Sequence, residues 1–127
     1  MEYREVAGRR KAVRVMLRRW GLARDMCREN AKRLEEFKGL SEDTIGCKST
    51  IAYLERRCDA EFAFGKRMTE LIAALTPRQQ TILWMRYSSC DSFLRIALRF
   101  NCSTDHAKRQ ERKAVDKLST MLGGDCA

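Results

Sequence analysis

The most informative stretch of the chain spans residues 92–118 and reads SFLRIALRFNCSTDHAKRQERKAVDKL. It predicts a short helix over about 92–100 and a tight turn at Asn101, because asparagine tolerates the left-handed backbone that such a turn needs. Ser103 is expected to cap a longer basic helix that ends near residue 122, before two glycines. A short helix, a brief turn and a longer basic helix form the helix-turn-helix arrangement.

Another helix is predicted immediately upstream. Thr76 provides an N-cap, and Pro77 suits the first helical position because its missing N–H is not needed there. This helix is expected to run to Arg86 or Tyr87, with a polar break at 88–91.

The first part of the chain predicts two long amphipathic helices. Apolar residues recur at spacings of three, four and seven in the first helix, with Asn30 in one position of the series: Met16, Trp20, Ala23, Cys27, Leu34 and Phe37. The segment 39–49 has loop composition. A second helix over about 48–74 has the apolar series Ile51, Leu54, Cys58, Phe62, Met68, Ile72 and Leu75. Helices of this length pack as an antiparallel, coiled-coil-like hairpin.

The predicted fold class is therefore all-α, with a hairpin at 1–74 and a helix-turn-helix domain at 75–127. An isolated helix pair buries only one narrow seam. We therefore expect the C-terminal region, or a second copy in a homodimer formed through the N-terminal helices, to cover the remaining apolar faces. Trp84 is expected to pack against the hairpin or, alternatively, to be exposed for a partner such as RNA polymerase.

The composition is that of a folded, basic protein. The 127 residues include 26 Lys and Arg against 17 Asp and Glu, for a formal net charge of +9, and 44% are hydrophobic. No apolar run reaches the roughly 18 residues of a membrane span, and the N-terminus lacks the apolar core of a secretory signal. We expect a location in the cytoplasm of a bacterial host cell and no membrane partner.

Motifs for metal sites and enzymes are missing from the sequence. The six cysteines form no CxxC pair, and His106 is the single histidine, so neither zinc nor another metal is expected. There is no Gly-rich phosphate loop and no GxSxG motif. We therefore expect no enzymatic activity and no cofactor.

Residues 75–118 carry a resemblance to a known family. The segments LTPR at 75–78 and ILWMRY at 82–87 are similar to the opening helix of sigma factor region four. Similarity to the first helix and turn of that module lies in Ile96, Ala97, Phe100, Asn101 and Ser103. Similarity to its recognition helix lies in Lys108, Arg109, Lys113, Ala114, Lys117 and Leu118.

The resemblance implies that the last helix reads bases in the major groove of duplex DNA. The positions that would face bases are Thr104, Asp105, Lys108 and Arg109, with His106 and Arg112 nearer the phosphates. Lysine and arginine can donate to guanine O6 and N7, and aspartate can accept from cytosine N4. The complete set of DNA-binding residues expected on this helix is Ser103, Thr104, Asp105, His106, Lys108, Arg109, Arg112 and Lys113.

Basic residues also cluster at the N-terminus. Residues 1–40 contain 12 basic and 6 acidic side chains, whereas 41–74 contain 5 and 6. One acid-free cluster in this region indicates a phosphate-tracking face or, alternatively, an ordinary solvated helix face: Arg9, Arg10, Lys11, Arg14, Arg18 and Arg19. The residues expected to contact the DNA backbone are Arg9, Arg10, Lys11 and Arg14, together with Arg78.

A helical segment fused to a sigma-like helix-turn-helix also resembles small phage and prophage transcriptional regulators, including activators of the ArpU and RinA type. The function we expect is sequence-specific binding of double-stranded DNA by such a regulator, acting with RNA polymerase. Two alternatives stay open. One is a small terminase-like DNA-packaging subunit, and the other is a polymerase or protein-interaction module with a degenerate helix-turn-helix, which Thr104 and Gln110 favour because they depart from the region-four pattern.

Overall fold

The protein is described by a computed structural model that covers residues 3–39 and 47–124. Within these ranges the chain forms five α-helices and no strand, which confirms the all-α prediction. The helices are α1 (Tyr3–Lys38), α2 (Cys47–Ile72), α3 (Pro77–Leu83), α4 (Phe93–Phe100) and α5 (Thr104–Gly124), with a π-helical turn at Trp84–Ser88. Most of the predicted loop at 39–49 lies outside the described residues. None of the helices in those ranges is both long and apolar enough to cross a bilayer.

Helices α1 and α2 form the expected hairpin. The indole of Trp20 donates to Thr69 Oγ1 at 3.3 Å, and Lys38 Nζ lies 3.8 Å from a carboxylate oxygen of Glu55. The later residue of α1, Lys38, thus meets the earlier residue of α2, Glu55. The two helices are therefore antiparallel.

One position of the predicted seam of α2 is wrong. The side chain of Phe62 is 67% exposed. Its neighbour Glu61 occupies the seam and accepts a hydrogen bond from Arg19 at 3.2 Å, and Gly65 follows against Ala23. The apolar pattern missed this register because a carboxylate and a glycine occupy two consecutive seam positions.

Helix α1 also buries two residues that the predicted seam did not include. Val13 and Leu17 pack into a core that also receives Met68 and Ile72 from α2 and Leu75, Leu83, Tyr87, Ala114, Val115 and Leu118 from the C-terminal part. The C-terminal region therefore covers the part of the hairpin that these residues form. A domain boundary between residues 74 and 75 stays a prediction, and the core on its two sides is continuous.

Gly21 allows the closest approach between the hairpin and the C-terminal part. A Cβ atom at this position would overlap the carbonyl oxygen of Tyr87. Helix α1 continues through Gly21 without a break, so this glycine serves close packing.

Candidate nucleic-acid interface

The helix before the helix-turn-helix begins with a capping box. Thr76 Oγ1 accepts a hydrogen bond from the Gln79 N–H, and the Gln79 side chain accepts one from the Thr76 N–H, both at 3.2 Å. Pro77 occupies the first turn. These contacts satisfy backbone donors that the first turn of a helix leaves free, and they confirm the predicted helix start.

The turn of the helix-turn-helix also follows the prediction. Asn101 adopts the left-handed conformation, with φ 52° and ψ 50°. Ser103 Oγ accepts a hydrogen bond from the His106 N–H at 3.0 Å and so caps α5. The direction in which α5 leaves α4 is therefore fixed by local backbone and capping geometry.

A small apolar core holds α4 against α5. It consists of Ile82, Met85, Ile96, Ala97 and Ala107, with Phe93, Phe100 and Cys102 packed around it. Ala107 is 1% exposed, so the two helices approach closely at this small side chain. This packing orients the opposite face of α5 toward solvent.

The solvent face of α5 carries the side chains that sequence reasoning assigned to DNA. Its exposed members in the N-terminal half are Asp105, Lys108, Arg109, Arg112 and Lys113. Thr104 and His106 are half-buried, and Ser103 is exposed but its hydroxyl serves the cap. With 100° between successive residues, Asp105 and Arg109 lie on one side of the helix and Ala107, Ala114 and Leu118 on the other.

Two arginines of α1 expected at the DNA backbone form ion pairs with α5 instead. Arg10 donates to both carboxylate oxygens of Asp116, at 2.8 and 3.0 Å. Arg14 donates to both oxygens of Glu111, at 3.0 Å each. Two-point pairs of this kind are the strong form of the arginine–carboxylate contact, so these guanidinium groups hold α1 against α5.

Other expected backbone contacts occupy exposed positions. Arg9 and Lys11 are exposed on α1. Arg78 is exposed near the start of α3, with its guanidinium carbon 5.3 Å from the centre of the Phe100 ring. That contact brings Arg78 close to the end of α4.

Sequence reasoning missed the buried acid Glu111. This residue is 2% exposed and accepts a hydrogen bond from the Tyr87 hydroxyl at 2.8 Å, besides its two from Arg14. Burial and the adjacent carboxylate raise the pKa of Tyr87, and the hydrogen bond to Glu111 raises the pKa of Arg14. The sequence signal that could have identified Glu111 is its spacing from Ala107, Ala114 and Leu118, which places it on the same buried face of α5.

No group of three or more His, Cys, Asp or Glu side chains converges as metal ligands would within the described ranges. His106 lies on α5 beside the basic face, where it is half-buried.

The comparison with protein families matches the C-terminal part of the chain. Residues 71–120 match the model of the family described as Sigma-70, region 4. The matched segment contains α3, the π-helical turn, α4 and most of α5. No curated protein and no solved structure matches the chain. The C-terminal part of this protein is thus a DNA-binding helix-turn-helix similar to sigma-70 region 4.

Proposed function

We propose that this protein is a sequence-specific transcriptional regulator that inserts α5 into the major groove of double-stranded DNA. The observation that carries the proposal is the solvent face of α5, where four cations and one carboxylate stand exposed on a helix held rigidly by its opposite face. A helix-turn-helix presents its second helix to base edges in this manner.

Asp105, Lys108 and Arg109 are the residues we assign to base recognition. Arg109 lies one turn after Asp105, so the two side chains can reach neighbouring base pairs. An arginine fork matches guanine O6 and N7, and an aspartate can accept from cytosine N4. Thr104, half-buried at the start of α5, is a further candidate for a base contact.

Phosphate contacts are assigned to further cations on α5 and on the other helices. On α5 these are Arg112 and Lys113, with His106 beside them, and elsewhere they are Arg78, Arg9 and Lys11. Such contacts position a protein on the duplex without reading its sequence. We assign Arg10 and Arg14 to the packing of α1 against α5, since both form ion pairs with acids of α5. We assign Ser103 to the helix cap.

The finer proposal is a phage-type regulator of the ArpU and RinA kind that acts with RNA polymerase. It is supported by the combination of a helical hairpin with a sigma-like helix-turn-helix. Co-purification of bacterial RNA polymerase with the protein bound to its DNA site is the expected result. A regulator that alters transcription without ever retaining polymerase would contradict this part of the proposal.

Dimerisation through the hairpin is also proposed. Phe62 and Met26 are apolar residues of the hairpin that are 67% and 38% exposed. A second copy would cover such apolar side chains. Sedimentation showing a strict monomer at high micromolar concentration would refute this proposal.

The proposed function is tested by selecting bound sequences from a random duplex library at about 150 mM salt, where non-specific binding weakens and base readout persists. We expect an enriched motif that disappears when Lys108 and Arg109 are both replaced with alanine. A featureless pool would contradict the proposal and favour a protein-interaction module. Large ring-shaped oligomers that bind one site without affecting transcription would favour a DNA-packaging subunit.

A further inference from the structure

Helix α1 runs antiparallel to α5 and presents arginines to it at every fourth position. Arg10 meets Asp116 and Arg14 meets Glu111, at 2.8 and 3.0 Å. Since a step of four residues along α1 corresponds to a step of five backward along α5, the next arginine, Arg18, lies near the turn of α5 that contains Ala107 and Lys108. Arg10 and Arg14 each face an acid of α5, whereas the charged residue of α5 near Arg18 is the cation Lys108.

A cleft of about 600 Å³ opens at this third position, between α1, the π-helical turn and α5. Its basic lining consists of Arg14, Arg18, Arg86, Lys108 and Arg112. Glu111 is the acid in the lining, and it is already bonded to Arg14 and to the Tyr87 hydroxyl. Over residues 3–39 and 47–124, Arg18, Lys108 and Arg112 form no ion pair.

Arg86 is held in place within this cleft. Its guanidinium donates to the carbonyl oxygen of Asp91 at 3.1 Å and lies 4.3 Å from the centre of the Phe93 ring. A cation fixed by a carbonyl and an aromatic face loses little side-chain entropy when it binds a ligand. The remaining donors of its planar fork suit a phosphate.

The arrangement brings like charges together without a compensating acid. Four cations other than Arg14 line one concave surface, and their mutual repulsion is relieved when an anion enters. Clefts lined by one sign of charge also concentrate counter-ions. The chemistry of this site therefore suits a phosphate group.

The position of the cleft indicates where that phosphate comes from. A helix lying in the major groove, which is about 12 Å wide, has one phosphate strand along each of its sides. The cleft occupies the side of α5 that faces α1, and Lys108 and Arg112 lie between it and the base-reading face. DNA bound to α5 would bring one backbone to this cleft.

We propose that Arg18, Arg86 and Arg112 in this cleft bind phosphates of one DNA strand, so that the hairpin grips the backbone while α5 reads bases. Lys108 lies at the border of the cleft and keeps its assignment to base recognition. The proposal rests on the proposed function in taking duplex DNA as the source of the phosphate. It places Arg18 of α1 and Arg86 of the π-helical turn together in one phosphate-binding cleft.

The test compares Arg18→Ala with Arg28→Ala, which removes the same charge from an exposed position farther along the same helix. The probes are the selected duplex, a scrambled duplex of equal length and inorganic tripolyphosphate. For Arg18→Ala we expect the slope of log affinity against log salt to fall by about 0.9, the value for one lost phosphate contact. Affinity should fall by the same factor on both duplexes, and tripolyphosphate binding should weaken. Arg28→Ala should change none of these.

Equal effects of the two variants would overturn the proposal, because they would reflect net charge alone. An Arg18→Ala variant that loses tripolyphosphate but keeps the wild-type salt slope would also overturn it, and would make the cleft a site for a free phosphate ligand. Failure of the proposed function has a different signature. The wild-type protein would then bind selected and scrambled duplexes equally, while the slope change in Arg18→Ala would still support the phosphate cleft.

Discussion

Among individual residues, Glu111 connects α5 both to α1 and to the π-helical turn. Its carboxylate is buried, and it receives two hydrogen bonds from Arg14 and one from the Tyr87 hydroxyl. A buried charge is tolerated when it is paired and its lone pairs are satisfied. The sequence shows an acid among apolar positions of α5, but its partner Arg14 is separated from it by 97 residues along the chain. Helical periodicity gives no information about pairs so far apart in sequence.

Replacing Arg14 with alanine should destabilise the protein by about 3 kcal/mol, because the carboxylate of Glu111 would stay buried without its cation. Arg18→Ala is the matched control, one turn farther along the same helix, and it should leave the free energy of unfolding within about 0.5 kcal/mol of wild type. Urea denaturation measures both. Equal stabilities of the two variants would show that the Arg14 pair contributes nothing.

Tyr87 should make stability depend on pH in the alkaline range. Its pKa is raised in the folded protein by burial and by Glu111, so above the ordinary tyrosine pKa of about 10 the unfolded chain releases this proton first. The stabilising contribution is complete below that pH and is lost as the pH rises further. The free energy of unfolding, measured between about pH 9 and 11, should fall more steeply for wild type than for Tyr87→Phe. Parallel curves would contradict the burial of this hydroxyl.

At the scale of elements, local signals predicted more than distant ones. The cap at Thr76, the left-handed turn at Asn101 and the cap at Ser103 follow from a few adjacent residues, and all three were predicted correctly. The π-helical turn Trp84–Ser88 was not predicted. In it the Ser89 N–H donates to the Trp84 carbonyl at 3.1 Å. A wider turn depends on what packs against it, here Gly21 against Tyr87 and Trp20 edge-on to Trp84 with ring centres 5.7 Å apart.

Gly21→Ala tests this junction between α1 and the π-helical turn. A methyl group would overlap the Tyr87 carbonyl, a backbone atom that cannot move alone, so we expect a loss of about 1–3 kcal/mol. Gly8→Ala places the same methyl group on the same helix with nothing within 4 Å. This control should be stabilised by about 0.5–1 kcal/mol through helix propensity. The two denaturation curves should therefore shift in opposite directions, and a shift of Gly21→Ala toward higher stability would refute the close contact.

At the scale of the whole molecule, the hairpin and the helix-turn-helix share one core. Leu17 of α1 and Leu118 of α5 are both fully buried in it. The sequence predicted two helical parts and a need for cover over the hairpin. It did not predict which face of α1 is covered, because the predicted apolar series begins at Met16 and includes neither Val13 nor Leu17.

Leu17→Ala should therefore destabilise both parts together. Truncating a buried leucine costs about 2–5 kcal/mol, whereas Val15→Ala, at a side chain that is 53% exposed, should stay within about 0.5 kcal/mol of wild type. Tryptophan fluorescence reports the junction at Trp20 and Trp84, and far-ultraviolet circular dichroism reports all helices. Coincident transitions by both probes are expected in each variant. Two separated transitions would contradict a shared core.

Base recognition by α5 is tested by the single substitution Arg109→Ala. The measurement is the dissociation constant for the selected duplex and for a scrambled duplex, at about 150 mM salt so that electrostatic binding does not mask base readout. We expect the binding free energy to weaken by about 1–3 kcal/mol on the selected duplex and by much less on the scrambled one. Equal losses on the two duplexes would make Arg109 a phosphate contact and would contradict its role in base recognition.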